Sequence, residues 1–282
     1  MSIKLKQINS EYVKPVKYTD GKVVDSRPIK GASLFEEIYS NIIIFAKKKS
    51  GKTTTLNKIV RDCATTDTTV MVFASTLDKD RNHISIKQYC KSHRIPYIGY
   101  TSMKDDDIDI IDVLLQKLKA EAAEEEQSDS EEDEIVIPKK EQIVLFESDE
   151  DSEDEPKRRK NKFQAPQYLI ILDDLSNELK SKVLTTLTKQ NRHYKCKIII
   201  STQYCCDVLP ETIKQCDYAL IFKGESKEKL QKIHGNLDLA LDFDVFEEIY
   251  HNATKEKFSF LYISARTEEY RRNFTHKYTI DL

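Results

Sequence analysis

Short runs of branched apolar residues with almost no polar interruption set the strongest limit on the fold. They are NIIIF (41–45), TVMVFA (69–74), YLIIL (168–172) and KIIIS (197–201). A strand with one wet face alternates polar and apolar residues; these runs do not alternate, so both of their faces must be covered. DYALIF (217–222) and FSFLYI (258–263) read as further strands, and helical spacing falls over 53–64, 83–93, 107–120, 176–193, 226–234 and 243–252. Strands alternating with helices predict an α/β fold: a three-layer sandwich with a mostly parallel central sheet. No internal repeat is visible. The apolar runs are far shorter than the roughly 18 to 20 residues of a bilayer helix, so no membrane span is expected. The opening MSIKLKQINSEYVK lacks the apolar core of a signal peptide, which predicts an intracellular protein.

Charge divides the 282-residue chain. Its formal net charge is −3, yet residues 121–155 hold 17 Asp/Glu against two Lys, while the remainder carries 43 Lys/Arg against 31 Asp/Glu. A basic remainder is compatible with a polyanionic partner. In the acidic stretch, repulsion and scarce apolar groups cannot offset the entropy of folding, so 121–163 is expected to be a disordered insertion. It interrupts a single domain spanning 31–282. Residues 1–30, with Pro15 and Pro28, are expected to form an arm that wraps the domain or reaches a neighbour. Within the insertion, Ser128, Ser130, Ser148 and Ser152 each have an acid three residues later, a pattern resembling acidophilic kinase sites. The closing KRRKNK is either a solvated charge run or a nuclear-import or nucleic-acid patch. Six cysteines fall mostly in apolar segments without a C-x-x-C pair, so reduced core thiols are expected, with Cys205 and Cys206 left open.

Chemistry enters at AKKKSGKTT (46–54), between the first strand and the first helix. A phosphate-binding loop needs inward-pointing backbone N–H groups, a lysine bridging the β and γ phosphates, and a hydroxyl on Mg²⁺ at a helix start. Gly51 permits close backbone approach, Lys52 is the phosphate lysine and Thr53 the metal-side hydroxyl. The candidate nucleotide-binding set is Ala46, Lys47, Lys48, Lys49, Ser50, Gly51, Lys52, Thr53 and Thr54. Ala46 stands where G-x-x-x-x-G-K-[ST] has its first glycine. That replacement costs on the order of 1 kcal/mol if φ is positive there and almost nothing otherwise.

A P-loop strand needs a partner strand ending in an acid, and YLIILDDLSNEL supplies it. Asp173 fits the Mg²⁺-side carboxylate, and Asp174 is placed to orient and deprotonate the attacking water. Asp-Asp after a strand is also a helix N-terminal signal, here followed by SNEL. Lys52 and Asp173 are 121 positions apart, which falls to 79 once 121–162 is set aside. The reading therefore requires Lys52, Asp173 and Asp174 to converge on one ATP and one Mg²⁺ at adjacent strand tips. A third strand ends in Thr202-Gln203, where the amide by itself reads as satisfying a strand end.

The segment LTKQNRHYKCKIIISTQYCCDVLPETIKQCDYALIF, taken with IILDDL, resembles the FtsK–HerA superfamily. It looks like the same region of the genome-packaging ATPases of poxviruses and other large nucleocytoplasmic DNA viruses, with relatives in Polintons and virophages. The similarity covers about 41–74 and 166–223. It implies a RecA/ASCE-like P-loop NTPase that hydrolyses ATP with Mg²⁺ and translocates double-stranded DNA into a capsid. It also implies a homo-oligomeric ring of five or six subunits, capsid or portal-vertex partners, and a place in the viral factory, the nucleus or the virion. Gln203 would then be a γ-phosphate sensor. Arg192 would be either an arginine finger reaching the next subunit's nucleotide or a cation at a helix C-terminus; Arg271 and Arg272 are weaker candidates. Lys47 occupies the position of the extra lysine in ParA/MinD-type partition ATPases, which keeps a dimeric switch as an alternative. A non-hydrolysing scaffold that works through the acidic insertion is another.

Overall fold

The structure, a computed structural model, describes residues 25–105, 108–126, 143–144 and 161–280. In chain order the elements are β1 (Asn41–Phe45), α1 (Lys52–Cys63), β2 (Thr69–Ala74), α2 (Arg81–Ser92), β3 (Tyr97–Tyr100), β4 (Lys104–Asp105), β5 (Ile108–Asp109), α3 (Ile110–Glu126), β6 (Ile143–Val144) and β7 (Tyr168–Asp173). There follow α4 (Lys182–Gln190), β8 (Cys196–Thr202), α5 (Pro210–Ile213), β9 (Tyr218–Phe222), α6 (Lys227–Leu237), α7 (Phe243–Ala253), β10 (Phe260–Ser264), β11 (Glu269–Arg272) and β12 (His276–Lys277). Ten strands form one sheet in the order β12-β11-β10-β9-β1-β8-β7-β2-β3-β6. The six from β9 to β3 pair in parallel; β10, β11, β12 and β6 add antiparallel edges.

The unbroken apolar runs are the central strands, buried on both faces. Along β1 the side chains divide by strand periodicity. Ile42 and Ile44 pack with Leu56, Ile59, Val60 and Cys63 of α1 on one face. Ile43 and Phe45 join the opposite core with Leu114, Leu115, Leu184 and Leu187 of α3 and α4. Each such Ile or Leu, fully removed from water, contributes roughly 1.5 to 3 kcal/mol. The α/β sandwich with a mostly parallel sheet is thus the observed fold. All six cysteines are free thiols, four of them buried.

Several element boundaries differ from the expectation. The helix expected over 176–193 is two pieces, a 3-10 turn at Ser176–Leu179 and then α4. The break has a local cause: Ser181 caps α4 by accepting from the Val183 and Leu184 N–H groups. α3 continues to Glu126, so the first six residues assigned to the acidic insertion are helical, with Glu121 accepting from the Tyr168 hydroxyl at 3.0 Å. The kinase-like serines, the first four residues of KRRKNK (157–160) and most of the N-terminal arm lie outside the described residues. Where description begins, Ile29 bridges Gln164 in parallel, Lys30 N–H donates to the Gln164 carbonyl at 2.9 Å, and Gln164 N–H donates to the Pro28 carbonyl at 2.9 Å. Residues 28–30 are therefore stitched to the chain just beyond the insertion.

One core position breaks pattern. Lys197 of β8 is 1% exposed. Its ammonium donates to the Glu37 carbonyl at 2.8 Å and to Ser40 Oγ at 2.7 Å, and lies 5.1 Å from the centre of the Phe35 ring. Burial pushes its pKa down to about 8, partly opposed by Cys63, Asp217 and Glu37.

Candidate active site

The carboxyl ends of the parallel strands share one edge, and the sequence-predicted groups gather there. β1 runs into the loop before α1. Ala46 extends the ladder, donating its N–H to the Thr202 carbonyl of β8 at 3.0 Å. It is fully buried and not among the residues with positive φ, so alanine is unstrained in place of the first glycine. The left-handed positions are Lys49, at φ 63°, and Gly51, at φ 99°. A Cβ on Gly51 would come within 3.4 Å of the Phe258 ring. α1 then begins with no side-chain cap and no acid in its first turn. Its free N–H groups and the positive end of its dipole face the loop, the arrangement that binds an anion.

A cavity of about 380 Å³ opens over this helix start. It is lined by Lys47, Lys48, Lys49, Gly51, Lys52, Thr53 and Thr54 of the loop and α1, together with Asp173, Asp174, Thr76, Asp80 and Asn82. Ala46 and Ser50 stand outside the lining. Lys47 also lies along the backbone of Gly224 just after β9.

The Lys52 ammonium sits 2.9 Å from Asp173 Oδ1 and 2.5 Å from Asp174 Oδ2. Lys52 and Asp173 are only 8% and 4% exposed, so this charge meets little competing water. Burial opposes ionisation of Asp173, but the His83 hydrogen bond and then Lys52 outweigh it, holding the carboxyl below its usual value. Gln203 Nε2 donates to Asp174 Oδ2 at 3.2 Å. Asp174 adopts φ 52° and donates its own N–H to the Ser201 carbonyl at 3.1 Å, which fixes its turn away from β7.

The convergence differs from the expectation in one respect. The tips bearing Lys52 and Asp173 are not adjacent: β8 lies between β1 and β7, pairing with both. That order leaves Gln203, just past the end of β8, within hydrogen-bond reach of Asp174 but outside the cavity lining.

Arg192 is elsewhere. It precedes β8 at the opposite edge of the sheet, where its Nη2 meets Glu37 Oε2 at 2.8 Å and Asp217 Oδ1 at 3.2 Å. Arg271 pairs with Glu36 and Glu269, and Arg272 with Glu256. None of the three reaches the cavity of its own chain.

Sequence reasoning did not identify His83, Thr76, Asp80 or Asn82. His83, from the first turn of α2, is 1% exposed and its Nε2 lies 3.0 Å from Asp173 Oδ2. Asp80 caps α2, accepting from Asn82 N–H at 2.8 Å. The available signal was positional: in parallel sheets ligands sit beyond the carboxyl ends of strands, and this loop follows β2.

Among the described residues no group of three or more His, Cys, Asp or Glu side chains could hold a metal ion alone. Two carboxylates and a Thr hydroxyl at the mouth of a lysine-lined cavity instead suit Mg²⁺, which takes one or two carboxylates and completes its shell with phosphate oxygens and water. No described helix is long and apolar enough to cross a membrane.

No protein-family model matches the sequence, and no curated protein matches it. Solved structures do resemble the fold. The genome packaging NTPase B204 from Sulfolobus turreted icosahedral virus 2, in complex with AMP, superposes with a TM-score of 0.51 at 13% identity, over 87% of this chain and 100% of that one. Its AMPPCP complex gives 0.50 at 13% identity, over 83% and 97%. At this identity the likeness speaks for architecture alone, and it identifies that architecture as the P-loop ATPase fold.

Proposed function

We propose that this chain is an Mg²⁺-dependent ATPase of the FtsK–HerA type, the motor that drives double-stranded DNA into a viral capsid. The observation that carries the reading is the meeting of Lys52, Asp173, Asp174 and Gln203 over an uncapped helix start. The packaging NTPase with the same fold supports the choice of motor.

In this reading Lys52 leaves the two carboxylates for the β and γ phosphates, while the loop N–H groups and the α1 dipole hold the β-phosphate. Asp173 and the Thr53 hydroxyl hold Mg²⁺, which when bound neutralises developing charge on the phosphate oxygens. Asp174 orients water and accepts its proton. Gln203, bonded to Asp174, contacts the γ-phosphate and couples its loss to β8. Arg192 would exchange Glu37 and Asp217 for the nucleotide of a neighbouring subunit in a ring of five or six. DNA would be gripped through its phosphates, so binding should tolerate any sequence and weaken with salt. Capsid or portal-vertex proteins are the proposed partners, and the viral factory, nucleus or virion the proposed location.

The test is ATP hydrolysis with and without duplex DNA. DNA should stimulate turnover, and Lys52→Ala and Asp174→Asn should each lower it by ~100-fold or more. Full turnover in both variants would overturn the catalytic assignment. Mass measurement with ATP separates a ring of five or six subunits from a two-subunit partition-type switch.

A further inference from the structure

In the structure Lys52 occupies the space between the two carboxylates. Asp173 presents Oδ1 to Lys52 and Oδ2 to His83, so its two oxygens have different partners. If Lys52 moves to phosphate, Asp173 loses the ammonium beside its Oδ1, at a moment when its direction matters most. One partner stays behind. His83 is held by the body of α2, which Asp80 caps and which is tied to α1 through Asn57 Nδ2 and Ser85 Oγ at 3.1 Å. The imidazole is buried, and its Nδ1 has no hydrogen-bond partner. An ionised carboxylate only accepts, so Nε2 is the ring nitrogen that carries a proton and donates to Asp173 Oδ2.

We propose that His83 is the positioning residue that keeps the Asp173 carboxylate aimed at the metal site after Lys52 departs for the nucleotide. This rests on the P-loop reading of the site. The assignment parallels the outer partners of metal ligands in general, which fix a ligand's orientation and whose loss weakens metal affinity. Asp174 has its own retained partner in Gln203, so each acid keeps one donor when the shared ammonium leaves.

Glutamine places its amide nitrogen where Nε2 of histidine sits, whereas leucine has no donor and the amide of asparagine falls short. The experiment titrates Mg²⁺ by calorimetry into protein saturated with a non-hydrolysable ATP analogue, alongside analogue affinity and thermal midpoint in chelator. His83→Leu should weaken Mg²⁺ binding by ~10- to 100-fold, His83→Gln should restore most of it, and metal-free nucleotide affinity should not change. Should the leucine variant fail to fold, His83→Asn takes its place with the same expectation. Unchanged Mg²⁺ affinity in a folded variant lacking the donor overturns the proposal, and so does equal loss in the leucine and glutamine variants. If the native chain binds no nucleotide even with Mg²⁺, the P-loop reading itself falls and the positioning role with it.

Discussion

Replacing Lys197 by methionine keeps the length of the side chain and removes its charge from the middle of β8. The pKa of this lysine falls from 10.5 to about 8, chiefly through burial. At 1.36 kcal/mol per pKa unit, that drop corresponds to ~3 kcal/mol of pH-linked stability. The sign follows from proton counts. Below pH 8 the lysine is charged in both states, and the folded protein bears the full cost of burying it. Between about pH 8 and 10.5 the unfolded chain binds more protons than the folded one, so stability rises with pH, and the gain is complete above 10.5. Methionine cannot titrate. It also leaves the Glu37 carbonyl and Ser40 Oγ without their donor, which offsets part of the benefit at neutral pH by about 1 to 3 kcal/mol. Urea denaturation of both proteins at pH 7, 8, 9 and 10.5 isolates the effect of Lys197 with its coupled thiol Cys63, because the tyrosines and the other cysteines are common to both. The native protein should gain ~3 kcal/mol relative to Lys197→Met across the series. Parallel curves, within about 0.5 kcal/mol, would refute the buried-ammonium account.

Restoring the glycine of the usual motif, Ala46→Gly, should leave ATP affinity unchanged and lower the unfolding free energy by roughly 0.5 to 1 kcal/mol, since the site has no positive φ for glycine to relieve; calorimetric ATP titration and urea melts check both. Arg192→Ala should cost no more than about 1 kcal/mol in stability, because its pairs with Glu37 and Asp217 are made by a half-exposed side chain. If Arg192 acts across subunits, the same variant should lose ATP turnover in the assembled state while single-subunit ATP affinity holds; unaffected turnover in the ring removes that role.

Much of this was legible because burial on both faces writes itself into sequence as unbroken apolar runs. β1, β2, β7, β8 and β9 fall within a residue of the expected limits for that reason. β10 begins two residues later than its run of aromatics implied, because Phe258 turns out of line at φ 67° and is exposed. β3 and β11 escaped notice: YIGY is short, and EYRR at an antiparallel edge carries the charges that edges tolerate. In the site, Lys52, Asp173, Asp174 and Gln203 were readable since each ends a strand or opens a helix. His83 was not, because a contact made 90 residues upstream of Asp173 leaves no local pattern. Arg192 was singled out by its place in the chain, whereas its contacts with Glu37 and Asp217, away from the cavity, depend on a loop far away in sequence.

The central position of β8 has a mechanical consequence. Its seven residues span ~23 Å from one rim of the sheet to the other. One end is bonded to the phosphate loop through Ala46 and to the acid turn through Asp174, and the other emerges beside Arg192. A strand clamped on both sides in a close-packed interior behaves as a stiff pushrod, since such interiors compress very little. In the proposed ring, a neighbour that pulled on the Arg192 rim would be coupled through this strand to Gln203 at the far tip without any loop having to refold.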